Sequence, residues 1–355
     1  MKTYRIALLP GDGIGPEVVA EGVKVLSAAA AALDGVSFEF EEFAAGAEEF
    51  QRSGDPFPEK TFELCRACDA ILLGAMGLPH VRGPRGTEIA PQLDLRERLD
   101  LYAGLRPIRL FHRTHTPLKG YEAGGIDLLL VRENTEGAFW SREQKVDFAS
   151  GVVEDQIHIS RRGTERICRT AFHEASRRRG KVTLVDKSNV LPSMAFFRHV
   201  FDEVAAEFPA IEVERVYIDA AALYLVRQPQ RFDVIVTENL FGDILSDLAA
   251  GLVGGMGMAP SGDIGESHAV FQPSHGSAPD IAGQGIANPV ATILSVAMML
   301  EWLGNETRPA AALVRDAVER VLRCAENRTR DLGGELASSR MGDLIAAEIG
   351  AEIGS

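Results

Sequence analysis

Two aspartates four residues apart, Asp243 and Asp247, lie in the run Phe241-Gly242-Asp243-Ile244-Leu245-Ser246-Asp247. On a helix that spacing puts both carboxylates on one face, where like charges repel. A solvated acidic face is the ordinary outcome. Against it, Phe241, Ile244, Leu245 and Leu248 make the helix largely apolar, and a hard divalent cation with oxygen ligands would offset the repulsion. Asp219, behind an apolar run, is a candidate third ligand. Three arginines are placed to take anions. Arg96 lies in Leu95-Arg96-Glu97-Arg98-Leu99, Arg106 in Gly104-Leu105-Arg106-Pro107, and Arg132 follows an apolar run. The guanidinium fork matches a carboxylate in two hydrogen bonds. Lys187, after Val185-Asp186, is either a surface lysine or, beside metal and arginines, a general base.

A second group of residues suits a nucleotide. In His275-Gly276-Ser277-Ala278-Pro279-Asp280-Ile281-Ala282-Gly283, the glycines allow close backbone approach. His275 and Ser277 offer donors, and Asp280 can accept from a ribose diol. Asn288 suits a helix N-cap, with Pro289 as the first helical residue. An ordinary Gly/Pro-rich turn is the alternative for this stretch taken alone.

The elements that must carry these residues alternate between strand and helix. The apolar run at 6–9 predicts a buried parallel strand, and strands are also predicted at 70–73, 126–131, 182–185, 213–218 and 234–237. Polar residues gather at their carboxyl ends, where α/β sheets bind ligands. Val19, Val23, Leu26, Ala30 and Leu33 make one face of a helix. Before it, Gly11-Asp12-Gly13-Ile14-Gly15-Pro16 departs from the dinucleotide fingerprint in its spacing, and predicts a backbone-donor loop near a ligand. Helices are also predicted over 164–179 and 240–252. Arg177-Arg178-Arg179 is expected to be a solvated helix end rather than a nucleic-acid patch.

The 355 residues carry a formal charge of −14, with 51 acids against 37 bases, which argues against a nucleic-acid binder. Composition fits a globular α/β protein with room for two lobes. Four cysteines in such a length fit a reducing compartment. Cys65 and Cys68 form a CxxC at a helix end rather than a helix start, so structural thiols are expected. The apolar stretch 290–300 is too short for a bilayer, no leader segment is evident, and a cytoplasmic location is expected.

Several motifs fall in order along nearly the whole chain. They are Gly11-Asp12-Gly13-Ile14-Gly15-Pro16-Glu17, Leu105-Arg106-Pro107, Arg132-Glu133-Asn134-Thr135-Glu136-Gly137, Asp186-Lys187-Ser188-Asn189-Val190, residues 239–247 and residues 275–283. In these the sequence resembles the β-decarboxylating dehydrogenases: isopropylmalate, isocitrate, homoisocitrate and tartrate/D-malate dehydrogenases.

The resemblance implies a two-lobed α/β fold with a mixed central sheet, distinct from the Rossmann fold. One lobe would take residues 1–98 with 254–355, the other 99–253 with the dimer contact. Arg96, Arg106 and Arg132 would hold the carboxylates of a malate-like diacid, with Gln92, Leu93, Phe139 and Val190 around it. Asp243 and Asp247, joined by Asp219 of a homodimer partner, would hold Mg2+ or Mn2+, and K+ is a candidate helper. Lys187, also from the partner, would be the base for the C2 hydroxyl. His275, Gly276, Ser277, Ala278, Asp280, Ile281 and Asn288 would bind NAD, with Asp280 repelling the 2′-phosphate of NADP.

Two departures matter. The family pattern places a proton-donating Tyr where this chain has Phe139, in Gly137-Ala138-Phe139-Trp140. Isopropylmalate enzymes place apolar residues ahead of the first Arg, and here Gln92 stands among Ala90-Pro91-Gln92-Leu93-Asp94. An amide left unpaired against an isopropyl group costs about 1–3 kcal/mol. The expectation is therefore a tartrate- or D-malate-like substrate, slightly ahead of 3-isopropylmalate. A non-catalytic regulatory homologue is the rival class, supported by Phe139 alone.

Overall fold

The computed structural model describes residues 2–84, 86–147 and 149–354; Met1 and Ser355, the outer bounds of the first expected lobe, lie outside the described residues. The strands are β1 (Lys2–Gly11), β2 (Val36–Glu42), β3 (Ala70–Ala75), β4 (Ala103–Arg109), β5 (Asp127–Glu133), β6 (Lys181–Asp186), β7 (Glu212–Tyr217), β8 (Val234–Thr237), β9 (Pro260–Ile264) and β10 (Ala269–Pro273). The helices are α1 (Gly15–Ala30), α2 (Ala47–Ser53), α3 (Glu59–Arg66), α4 (Pro91–Arg98), α5 (Arg161–Ser176), α6 (Pro192–Ala205), α7 (Ile218–Arg227), α8 (Asn239–Gly251), α9 (Val290–Leu303), α10 (Arg308–Arg323) and α11 (Ser338–Ile353).

One 10-stranded sheet joins them, in the order β2-β1-β3-β10-β9-β4-β5-β8-β6-β7. β2, β1, β3 and β10 run parallel, and so do β5, β8, β6 and β7. β9 and β4 join these halves by antiparallel pairings. Central strands such as β3 and β8 are buried on both faces, as their unbroken apolar runs require. The edge strands β2 and β7 carry Glu39, Glu41, Glu212 and Glu214, which discourage further pairing.

One apolar core draws on both ends of the chain, with Tyr4, Val25, Val296, Val314 and Ile345 among its members. Two further cores draw mainly on residues between 103 and 264. Helix α9 is buried nearly all round, which explains why its sequence shows no polar face.

Several expectations shift. The helix expected over 164–179 is α5, which ends at Ser176. Of the triple arginine beyond it, Arg177 and Arg179 are exposed as expected, and Arg178 is not. Arg178 donates to Asp127 and Asp233, and Arg179 donates to the Asp127 and Phe232 carbonyls, so the pair bolts the helix end to β5 and β8. Asp219 lies in the first turn of α7 rather than on the preceding strand. Helix α9 opens at Val290 with Pro289 as N-cap, one residue later than expected. The Asn288 side chain still caps it, accepting from Val290 N at 3.0 Å. Cys65 and Cys68 are buried free thiols, and burial pushes Cys65 up to about 12, as inert structural thiols require. No helix of the described residues is long and apolar enough to cross a membrane.

Candidate active site

Sheet register brings the anion-binding residues together. Gly104 on β4 lies opposite Arg132 on β5 and opposite Asp263 on β9. Arg106 is two residues along the same strand, so Arg106, Arg132 and Asp263 project from one face. Gly104 is needed there, because a Cβ would stand 2.7 Å from Asn134 Oδ1. Arg96 reaches the same place from α4.

Asp263, absent from every sequence motif, is the hub. Its Oδ2 accepts from Arg96 Nε at 2.9 Å and from Gln272 Nε2 at 2.8 Å. Its Oδ1 accepts from Asn134 Nδ2 at 2.9 Å and lies 3.6 Å from Arg106 Nη2. Burial alone would raise this carboxyl. Arg96 and Arg106 outweigh burial and hold it below the usual range. Sequence reasoning passed over Asp263 and Gln272, and gave no role to Asn134 and Asn239 although both stand in its motifs. The available signal was an acid in the short run Pro260-Ser261-Gly262-Asp263-Ile264, which is otherwise uncharged and buried throughout save for Ile264.

Arg132 is fully buried. Its Nε and Nη2 donate to Asn239 Oδ1 at 3.0 and 2.7 Å, and its Nη1 pairs with Asp243. Burial, helped by Arg96, lowers its pKa to about 10, which still leaves it cationic at neutral pH. The Phe139 ring centroid lies 5.3 Å from its guanidinium carbon. Asp243 and Asp247 share a face of α8, whose first turn is capped by Glu238 accepting from Phe241 N. Burial and then repulsion from Asp243 raise the Asp247 carboxyl. A cation would relieve both effects, so the pair fits a divalent metal.

Arg96, Arg106, Arg132, Phe139, Asp243 and Asp247 line a cavity of about 220 Å³ together with Gln92, Leu93, Ser274, His275 and Gly276. Gln92 Oε1, Arg106 Nε, Ser274 Oγ and His275 Nε2 are buried without a hydrogen-bond partner. Buried polar atoms are nearly always paired, so four orphans around one cavity point to a polar ligand.

Lys187, Asp219 and Val190 are not brought there. Lys187 Nζ donates to Asp219 Oδ1 at 2.8 Å, and this bond lowers the Asp219 carboxyl. Val190 is 64% exposed. Within one chain Val190 therefore forms no substrate wall. Among the described residues no three His, Cys, Asp or Glu side chains of one chain could hold a metal. The expected triad is thus two acids here and one elsewhere.

The nucleotide loop departs in detail. Gly13 and Ile14 brace it: Ile14 N donates to Ser277 O at 2.8 Å, and a Cβ on Gly13 would stand 2.0 Å from that carbonyl. Asp12 N likewise goes to Ala75 O, so the glycine loop spends these donors on protein rather than ligand. Ser277 Oγ donates to Gly77 O rather than outward. Asn288 Nδ2 donates to Asp331 Oδ2 at 3.0 Å, which leaves the amide engaged rather than open to a base. His275 Nδ1 donates to Gly276 O at 2.9 Å, so its Nε2 is an acceptor. Burial lowers this imidazole, which is neutral at pH 7. Ala278 holds φ 39°, a strained left-handed position of the kind found at binding loops. Asp280 is exposed, and Ile281 and Ala278 pack against Ile14, Val18 and Ala287. The loop still fits a nucleotide, through His275 Nε2, Gly276 and Asp280.

Fold and site together define an α/β protein whose arginine-lined cavity opens beside the 275–283 loop. The isocitrate/isopropylmalate dehydrogenase profile matches residues 5–345. A 3-isopropylmalate dehydrogenase of Moorella thermoacetica is 46% identical over 98% of this chain and 99% of its own. An isocitrate/homoisocitrate dehydrogenase of Thermus thermophilus is 46% identical over 96% and 97%. The solved structure of isocitrate dehydrogenase from Methylococcus capsulatus superposes with a TM-score of 0.88 at 39% identity, covering 98% of this chain and 99% of that one. The chain belongs to the isocitrate/isopropylmalate dehydrogenase family and is a decarboxylating dehydrogenase.

Proposed function

We propose that this enzyme oxidises and decarboxylates a 3-substituted (2R)-malate, with 3-isopropylmalate as the leading substrate. The observation that carries the reading is the group of three buried arginines facing Asp243 and Asp247 around four unpartnered polar atoms. Arg96, Arg106 and Arg132 would hold the two carboxylates. Asp243 and Asp247, with Asp219 of the partner subunit, would hold Mg2+ or Mn2+. His275, Gly276 and Asp280 would hold NAD. When bound, the cation supplies Lewis-acid polarisation of the oxygen on C2, and NAD supplies the hydride acceptor. Lys187 of the partner subunit takes the proton of the C2 hydroxyl. The resulting 2-keto acid loses its β-carboxylate as CO2, and C3 then takes a proton. Phe139 has none to give, so water or another side chain provides it.

Charge supports the pairing. Three guanidinium groups and the carboxylates of Asp243, Asp247 and Asp263 sum to zero, and so do a divalent cation and a dicarboxylate. Two lobes, 1–98 with 254–355 and 99–253, rest on the separate apolar cores. A homodimer rests on exposed apolar residues beside Asp219 and Asp243: Leu223 is 53% exposed and Ile244 57%.

A tartrate- or D-malate-like substrate is the second reading, favoured by the unpartnered Gln92 Oε1. The names of the relatives support 3-isopropylmalate more strongly than this smaller diacid. A turnover assay with NAD, Mn2+ and a panel of C3-substituted malates separates the readings. Fastest NADH formation with 3-isopropylmalate is expected. No NADH from any member would remove the enzymatic reading and leave a regulatory homologue.

A further inference from the structure

Helix α4 contributes Gln92, Leu93 and Arg96 to the cavity and is held to the first lobe by buried Leu95 and by the Arg96–Asp263 pair. Pro91, Leu95 and Arg96 are its buried residues, so it lacks a continuous apolar face. Opposite it stands the 3-10 helix Ala138–Glu143, which contributes Phe139. Side chains three apart eclipse in a 3-10 helix, so Phe139 and Arg142 point the same way. Arg142 Nε donates to Glu97 Oε1 at 2.8 Å and its Nη2 to Glu97 Oε2 at 2.6 Å, a two-bond fork. The same Nη2 reaches Asp94 Oδ1 at 2.8 Å, and Nη1 lies 3.0 Å from Glu143. The Arg142 side chain is 18% exposed, while its partners Asp94 and Glu97 are 41% and 45% exposed, so the tether is a solvent-accessible ion-pair network held by its geometry. A second cavity of about 240 Å³, lined in part by Phe57, Arg98, Arg142 and Glu143, lies alongside, so apolar packing does not fill this junction. Just past α4, Asp100 is gripped by Arg166 of α5 at 2.7 and 2.8 Å.

We propose that Arg142 is a positioning residue for substrate selection, tethering the Phe139 segment to α4 and so setting the spacing between Phe139 and the Gln92–Leu93 wall. The proposal rests on the malate reading of the cavity. Arg142 itself does not line that cavity. It fixes how far apart two of the cavity's walls stand, and therefore which C3 substituent fits.

The test uses full-length Arg142→Gln, Arg142→Lys and Glu97→Gln, with two readouts. In steady-state kinetics, Arg142→Gln is expected to raise KM for 3-isopropylmalate about tenfold and to narrow its preference over unsubstituted malate, since displacing a binding wall by about 1 Å is enough for losses of this size. The kcat and the KM for NAD should stay within about twofold, which marks a loss of ground-state binding. Arg142→Lys should recover part of the preference. In hydrogen–deuterium exchange, amides of 91–98 and 138–144 should exchange faster in Arg142→Gln and Glu97→Gln, with the sheet strands unchanged. Unchanged preference, or faster exchange throughout the strands, overturns the proposal. If the wild type turns over no malate, the malate reading falls, and the exchange pattern still decides whether the tether exists.

Discussion

Replacing Asp263 by Asn would leave Arg96 and Arg106 buried beside a neutral amide. Breaking a buried ion pair on one side costs about 3–5 kcal/mol, because the remaining charge stays desolvated. Asp263→Asn should therefore lower the unfolding free energy by that amount, seen as a lower denaturant midpoint at unchanged m, and raise the KM for the diacid; an unchanged midpoint would show that the hub is not structural. The pH dependence has a definite sign. The folded-state pKa of Asp263 is depressed, so its contribution is present above the unfolded value near 3.8 and is lost as pH falls through the folded one. The wild type should lose this increment in acid, and Asp263→Asn should not. Residue chemistry was legible in the sequence where it sits in a motif. Arg96, Arg106, Arg132, Asp243, Asp247 and His275 all line the cavity. Asp263 was not legible, because a lone acid in a five-residue strand carries no periodic signal. Its meaning comes from register with Gly104.

At the scale of elements, two loops far apart in sequence lean on each other. The turn at Gly13 presses on Ser277 so closely that a side chain cannot fit, and Gly13 holds φ 61°. Gly13→Ala should displace the 275–283 loop. The expected result is a raised KM for NAD with the KM for the malate nearly unchanged; equal effects on both would mean that the two sites are not separately supported. This dependence was hidden in the sequence, where the glycine pattern suggested donors aimed at a ligand. Contact at a separation of more than 260 residues leaves no local trace. The strands β1, β3, β5, β6, β7 and β8 were readable, most of them from apolar runs that burial on both faces demands, whereas β2, β4, β9 and β10 were not read. Element ends were read less well. Arg178 looks solvated within a run of like charges, but Asp127 and Asp233 come within its reach only once β5 and β8 are paired, while Arg177 stays exposed.

For the whole molecule, the proposed site is divided between two places on one chain. Arginines, Asp243 and Asp247 surround the cavity, while Lys187 and Asp219 form an ion pair elsewhere, next to exposed apolar side chains. The central claim is that a second copy brings Lys187 and Asp219 to the first copy's cavity. A two-fold dimer makes this directly testable by mixing two inactive variants, Lys187→Met and Asp247→Asn, and letting the subunits exchange. Half of the dimers would then be mixed, each with one site carrying both lesions and one intact, so activity should return to about one quarter of the wild-type value. A mixture that forms mixed dimers yet stays inactive would contradict the shared site.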